Sequence, residues 1–118
     1  MSHSVFKNAA VADARHERRR PWERRATLSV GAQYAWQVKT SDLSLSGMSV
    51  FCDVALPIGT RCDISATFPL DDKIVTMRVT AENTSCILVN SKGFRLGLRI
   101  VAADGASREL IKTLMALG

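Results

Sequence analysis

Hydrophobic and polar residues alternate with a period of two through most of the chain after Ala26. The clearest run is 75–81, in which apolar residues at odd positions alternate with Thr76, Arg78 and Thr80. This period predicts strands that bury one face and expose the other. Similar runs lie at 34–38, 48–52, 64–68 and 94–100. Turn-forming residues at 46–47, 56–59, 69–72 and 90–93 separate them, so the pattern predicts six or seven short strands in an antiparallel barrel or sandwich.

The pattern changes to a helical period near the C-terminus. Leu110, Ile111, Leu114 and Leu117 are spaced as on one face of a helix over 106–117. Either Asp104 or Ser107 could cap its first turn. Its apolar stripe would close one end of a barrel or form a dimer surface.

Length and composition fit a single globular domain. The chain has 118 residues, of which 47% are hydrophobic and 23% charged. No apolar run approaches the ~20 residues of a membrane span, and the N-terminus lacks the apolar stretch of a signal peptide. We therefore expect a cytoplasmic protein without a membrane span. Three cysteines without a C-x-x-C pair favour reduced, buried thiols over a disulfide framework or a zinc site.

Positive charge is concentrated at the N-terminus. Residues 1–30 contain seven basic and three acidic side chains, which accounts for +4 of the net charge of +5. Clustered arginine attracts anions such as nucleic acid, a phosphorylated small molecule or a membrane surface. Residues 1–16 contain few large apolar groups, so we expect a flexible arm there and a single domain over 17–118.

The sequence offers no convincing catalytic arrangement. Both histidines, His3 and His16, lie in the arm, and no known nucleophile, metal or phosphate-loop motif occurs. This favours a binding protein without enzymatic activity, cofactor or metal.

Two short motifs could bind a ligand. The first has Arg20 and Arg24 four residues apart, and guanidinium groups bind phosphates and guanine edges through paired donors. The second is Asp42-Leu43-Ser44-Leu45-Ser46-Gly47. On an extended chain Asp42 and Ser44 would face one side, and Leu43 and Leu45 the core. Each motif alone also fits a bland explanation, namely a solvated charge run and a turn that satisfies its own backbone.

Together, the two motifs resemble the R-x-x-x-R and [D/N]-x-S-x-x-G signature of PilZ domains, bacterial receptors for cyclic di-GMP. The second motif begins eighteen residues after Arg24, and the similarity runs from about Glu17 into the C-terminal helix. The resemblance implies a six-stranded antiparallel β-barrel with a C-terminal helix. It also implies a mobile arginine segment that wraps the ligand against a preformed face.

Carried over by resemblance, the ligand-binding residues are Arg20 and Arg24 for guanine and phosphate, Asp42 for a guanine edge, and Ser44 and Gly47 for the rest of the pocket. Arg19 precedes the motif, where a further arginine is associated with binding an intercalated ligand pair. Many members add a tryptophan or arginine from a later strand, and 79–83 has neither. Trp22 could compensate, or it could pack the segment onto the barrel.

The resulting hypothesis is a cyclic di-GMP receptor whose arm changes conformation on binding and signals to an unidentified downstream protein. The hypothesis expects no nucleic-acid partner, and one alternative to it is a small β-barrel that binds RNA or DNA through the arginine-rich arm. The other is a PilZ-like interaction module that does not bind the ligand.

Overall fold

A computed structural model describes residues 17–91 and 93–117, and this part of the chain contains seven strands and one helix. The predicted flexible arm, residues 1–16, lies outside the described residues. The elements are β1 (Arg20–Pro21), β2 (Arg25–Val30), β3 (Tyr34–Leu43), β4 (Gly47–Cys52), β5 (Arg61–Leu70), β6 (Lys73–Asn90), β7 (Gly93–Ala103) and α1 (Gly105–Leu117).

Six of the strands form a closed antiparallel ring. Their order is β3-β2-β5-β6-β7-β4, and a pairing between β3 and β4 joins the two ends. The predicted six-stranded antiparallel fold with a C-terminal helix is thus confirmed, with the short β1 as an addition that pairs with the end of β3. Closure removes unpaired sheet edges, which is how an all-β domain of this size avoids edge-to-edge association.

The core fills the inside of the ring. Inward-facing side chains from the strands, including Leu28, Met48, Ile64, Met77 and Leu96, are almost completely buried. The apolar stripe of α1 joins this core through Ile111, Leu114 and Met115. The helix was predicted either to close one end of a barrel or to form a dimer surface. In the structure its apolar stripe packs against the strands of its own chain.

Local features set the ends of several elements. Asp71 and Asp72, with φ of 50° and 66°, form the two-residue connection between β5 and β6, because paired positive φ values match the twist of a hairpin. β6 extends to Asn90, well beyond the predicted run. The pattern missed this extension because irregularities in the pairing of β6 with β7 break the strict alternation of hydrophobic and polar residues. Asp104 caps α1, accepting a hydrogen bond from the Ser107 amide at 2.7 Å.

The segment that leads into β2 lies along β3. Besides the β1 pairing, the Trp22 amide donates to the Ser41 carbonyl at 3.0 Å, and the Thr40 amide donates to the Arg24 carbonyl at 2.9 Å. Backbone hydrogen bonds thus hold the second half of this segment against the sheet, and its mobility stays a prediction.

Candidate functional site

The Asp42 carboxylate lies on the outer face of the ring between two guanidinium groups. Arg19 Nη1 is 2.8 Å from Asp42 Oδ1, and Arg95 Nη2 is 3.3 Å from Asp42 Oδ2. The Asp42 side chain is only 18% exposed, whereas those of Arg19 and Arg95 are about half exposed at 46% and 48%. A partly buried acceptor is thus flanked by two cations that remain open to a ligand.

Small residues form a floor beside this cluster. Asp42 pairs with Ser49, Ser49 with Gly97, and Gly97 with Ser85, so these four positions lie in one row across four strands. Since Ser49, Gly97 and Ser85 project little from the sheet, the row forms a depression. The resulting cavity has a volume of about 710 Å³ and also includes Arg19, Arg95 and Arg99. Its size is in the usual range for small-molecule sites, ~300 to 1,000 Å³.

Acidic side chains moderate the charge of the cavity. The Ser46 hydroxyl donates to Glu17 Oε1 at 2.6 Å. Partial burial would raise the pKa of Glu17, but the Ser46 hydrogen bond and the Arg19 charge outweigh it and hold that pKa below its usual value. Arg99 forms an ion pair with Glu82. The cavity is therefore mixed in sign, with three arginines and the carboxylates Glu17 and Asp42 along its lining.

Arg20 points away from this cavity. Arg18 Nη2 donates to the Met115 carbonyl at 2.6 Å, and Arg20 Nη1 donates to the Leu114 carbonyl. The last carbonyls of a helix have no partner within the helix and carry partial negative charge, so cations there are favourable. Two arginines from the N-terminal segment thus cap the C-terminal end of α1.

Arg24 and Trp22 both contact the Phe68 ring. The Arg24 guanidinium lies over the Phe68 ring, 5.1 Å from its centre. Trp22 is 6% exposed and packs edge-on against the same ring, at 5.5 Å between centres. Trp22 therefore packs the segment onto the core, which was one of its two predicted roles.

The buried hydroxyl of Thr40 fixes the backbone between the two motif arginines. It donates to the Trp22 carbonyl at 2.6 Å and accepts from the Arg24 amide at 2.8 Å. Thr40 is completely buried. The sequence pattern did not single it out, because a threonine at an inward position of a strand reads as an ordinary β-former.

The predicted arrangement of the second motif is partly wrong. Ser44 is completely buried and Leu45 is 57% exposed, the reverse of the expectation. β3 ends at Leu43, and the Ser44 amide and hydroxyl both donate to the Gly47 carbonyl, at 2.8 and 3.2 Å. Alternation stops where this turn begins, so Ser44 closes the turn instead of sharing a face with Asp42.

The structure brings three of the six predicted ligand residues to the cavity: Arg19, Asp42 and Gly47. A side chain at Gly47 would place its Cβ 2.7 Å from the Leu98 carbonyl oxygen, so this glycine is required by strand packing. Arg20 lines a neighbouring depression, although its guanidinium caps the helix. Glu17, Arg95 and Arg99 were missed. The period of β7 puts Arg95 and Arg99 on one face, but only the strand register shows that this face carries Asp42.

The sequence model of the PilZ domain matches residues 13–117, and the chain belongs to this family. No curated protein sequence matches it.

Solved PilZ structures share the fold. The PilZ domain of YcgR from Escherichia coli, solved with c-di-GMP, has a TM-score of 0.66 at 15% identity, over 84% of this chain and 86% of that one. MotI/DgrA, an inhibitor of motility from Bacillus subtilis, has a TM-score of 0.71 at 9% identity, over 84% of this chain. PlzA of Borreliella burgdorferi, solved in complex with c-di-GMP, has a TM-score of 0.56 at 15% identity, over 92% of this chain. This chain spans 48% of MotI/DgrA and 45% of PlzA, or about half of each.

The described residues also bear on metal binding and on membrane spans. Within residues 17–91 and 93–117, no group of three or more potential metal ligands comes together. In the same part of the chain, no helix is both long and apolar enough to cross a membrane.

Proposed function

We propose that the protein is a non-catalytic receptor for cyclic di-GMP, which binds on the outer face at the Asp42 cavity. The observation that carries the proposal is the Asp42 carboxylate, clamped between Arg19 and Arg95 beside a floor of small residues. A carboxylate accepts the N1 and N2 hydrogens of guanine, while guanidinium groups bind phosphates through paired charge-assisted hydrogen bonds. The floor lets a flat base approach the sheet.

Family membership supports the ligand class. Relatives with the same fold, YcgR and PlzA, have been solved with c-di-GMP. In this chain Arg95 and Arg99 of β7 would supply the cations that the 79–83 stretch lacks. They line the same cavity as Asp42.

The segment that carries the arginine motif would change its conformation through Arg20. Its guanidinium has two classes of acceptor available, the carbonyl at the end of α1 and the phosphates of a bound ligand. Binding would draw Arg20 and Arg24 toward the ligand and take a cap away from the helix. The shift requires a ligand that makes several strong bonds, because these must replace the contacts of Arg20 with the Leu114 carbonyl and of Arg24 with the Phe68 ring. A change at the arginine segment and the end of α1 would then be the signal that a downstream protein detects.

The contacts made by the arginines argue against the nucleic-acid alternative. Arg18, Arg19, Arg20 and Arg24 each contact a helix carbonyl, a carboxylate or an aromatic ring. These contacts engage the guanidinium groups within the chain and leave fewer of them for a phosphate backbone.

Isothermal titration calorimetry with cyclic di-GMP tests the proposal, with GTP and a short RNA as controls. We expect saturable binding of cyclic di-GMP and none of comparable strength for the controls. Two molecules per chain are expected if Arg19 holds an intercalated pair, and Arg19→Ala should then shift the stoichiometry toward one. Absence of cyclic di-GMP binding by the folded protein would leave a PilZ-like interaction module. Tighter, strongly salt-dependent binding of RNA would favour the nucleic-acid alternative.

A further inference from the structure

A row of cationic and apolar side chains crosses the outer face next to the Asp42 cavity. The strand register pairs Arg25 with Lys39, Lys39 with Phe51, Phe51 with Arg95, and Arg95 with Ile87. Five strands contribute one residue each, so the row spans a large part of the ring's outer surface.

The apolar members of this row are exposed without a partner in the described chain. Phe51 is 41% exposed, Ile87 is 58% exposed, and nearby Val89 is 49% exposed. The core is complete on the inner face, where Val50 and Leu96 next to this row are fully buried. Contiguous exposed apolar side chains rimmed by polar groups mark interaction surfaces.

These side chains line a groove. Two depressions of about 670 and 600 Å³ share Phe51 and Val89 as lining residues. One reaches Arg19, Asp42 and Arg95, and the other reaches Arg25, Lys39 and Asp53. We call this continuous surface the outer groove. It has an apolar centre and cations at both ends.

The charges of the outer groove are unbalanced. Its lining contains Arg19, Arg20, Arg25, Lys39 and Arg95 against Asp42 and Asp53. Lys39 has only a loose contact with Glu23, at 3.6 Å and with both side chains mostly exposed. Among the described residues Arg25 pairs with no carboxylate. It lies directly opposite another cation, Lys39. Like charges opposed across two strands are unfavourable, so an anionic partner would relieve this repulsion.

We propose that the outer groove binds an acidic segment of a partner protein. An apolar side chain of that segment would lie on Phe51 and Val89, while its carboxylates would face Arg25 and Lys39. A second copy of the chain fits poorly, because a two-fold contact would place the same cations opposite one another. This inference deepens the proposed function by describing the downstream protein, yet the groove can be tested without the ligand.

The groove shares residues with the ligand cavity. Arg19, Asp42, Ile87 and Arg95 line both. A ligand whose phosphates recruit Arg19 and Arg95 would reduce the positive charge at that end of the groove. The ligand should therefore weaken binding of the acidic segment, and by linkage the segment should weaken binding of the ligand by the same factor.

The test is a selection from a random peptide library displayed on phage, performed on the whole chain with and without cyclic di-GMP. We expect enrichment of peptides that combine several acidic residues with a large apolar residue. A synthetic enriched peptide should lose about tenfold or more in affinity on Val89→Ser and on Lys39→Glu, as expected for an apolar contact and for a reversed charge. Ile74→Ser is the matched control, because Ile74 is 71% exposed and outside the groove.

Three results would overturn the proposal: no enrichment, enrichment of basic or neutral peptides, or peptides whose affinity is unaffected by Val89→Ser and Lys39→Glu. A dimer in sedimentation that Val89→Ser abolishes would instead identify a second copy as the occupant. RNA binding lost in the same variants would identify a nucleic acid. Peptide binding without any calorimetric response to cyclic di-GMP would support the groove and reject the receptor, so the two proposals fail separately.

Discussion

The Thr40 hydroxyl donates a hydrogen bond to the Trp22 carbonyl at 2.6 Å, completely out of contact with water. The same oxygen accepts from the Arg24 amide, so one side chain satisfies two backbone groups of the arginine motif. This contact links the N-terminal segment to β3, the strand that also carries Asp42.

Replacing Thr40 by valine should destabilise the protein. The change preserves shape but leaves the Trp22 carbonyl and the Arg24 amide without a partner, which costs ~1 to 3 kcal/mol per buried group. Urea unfolding measures the loss, and Thr40→Ser, which keeps the hydroxyl, should lose less. Equal stability of the valine and serine variants would mean that the hydroxyl does not hold the segment.

Replacing Asp42 by alanine should reduce selectivity for guanine. The carboxylate is the group that accepts the guanine hydrogens in the proposed function, and loss of such a charge-assisted bond costs ~1.5 to 3 kcal/mol. Because Asp42 also neutralises Arg19 and Arg95, general attraction to phosphate should persist. The measurement is the ratio of affinities for cyclic di-GMP and cyclic di-AMP, which should fall about ten- to a hundredfold. An unchanged ratio in a folded variant would exclude Asp42 from guanine recognition.

Removing the arginine caps should loosen the end of α1. Arg18→Ala and Arg20→Ala each delete a donor to its last carbonyls, and a cation at this position contributes ~0.3 to 1 kcal/mol. Hydrogen exchange of amides in 114–117 should accelerate about two- to fivefold. Lys112→Ala is the control, since Lys112 contacts Glu109 and not these carbonyls. In the wild type, cyclic di-GMP should produce the same acceleration, and slower exchange with ligand would contradict the competition for Arg20.

Gly47 should be intolerant of a side chain for reasons of packing. A Cβ there would lie 2.7 Å from the Leu98 carbonyl oxygen, which belongs to backbone and cannot rotate away. We expect Gly47→Ala to lower the free energy of unfolding by ~1 to 3 kcal/mol. Gly105→Ala is the control, because no atom lies within 4 Å of its added Cβ. Thermal unfolding distinguishes them, and equal stability would show that the strands can separate to accept the methyl group.

The cap of α1 should depend on pH through Asp104. Hydrogen bonds from Ser107, first from its backbone amide, lower the pKa of Asp104 below the usual 3.8. A lowered pKa in the folded state means that the carboxylate stabilises the protein above pH 3.8 and that this contribution disappears as the pH falls through the folded value. Asp104→Ala should therefore be less stable than the wild type at pH 7, and the difference should shrink in strong acid. Asp104→Asn is the control, because it keeps a neutral cap at every pH. If Asp104→Ala stays less stable than the wild type in strong acid, the stabilisation comes from a hydrogen bond that does not require the negative charge.

The alternation of hydrophobic and polar residues determined most of the fold. Strands β5 and β7 follow it because one face packs in the ring and the other meets water. The helical period at 106–117 correctly predicted that Leu110, Ile111 and Leu114 pack on the core, but Leu117 is 60% exposed and Met115 is buried instead. These features are local, since each depends only on which neighbours along the chain must be buried.

The candidate site depended on the tertiary structure, because pairing between strands decides which side chains meet. Arg95 lies 53 positions after Asp42, and only the register of β3, β4 and β7 brings them together. Arg20 and Leu114 are 94 positions apart, and no periodicity could indicate that a ligand-motif arginine caps the helix. Ser44 turned inward because backbone hydrogen bonds of the turn outweighed strand alternation. Sequence alone thus predicted the motifs and the fold, whereas contacts across the ring decided which side chains face the cavity.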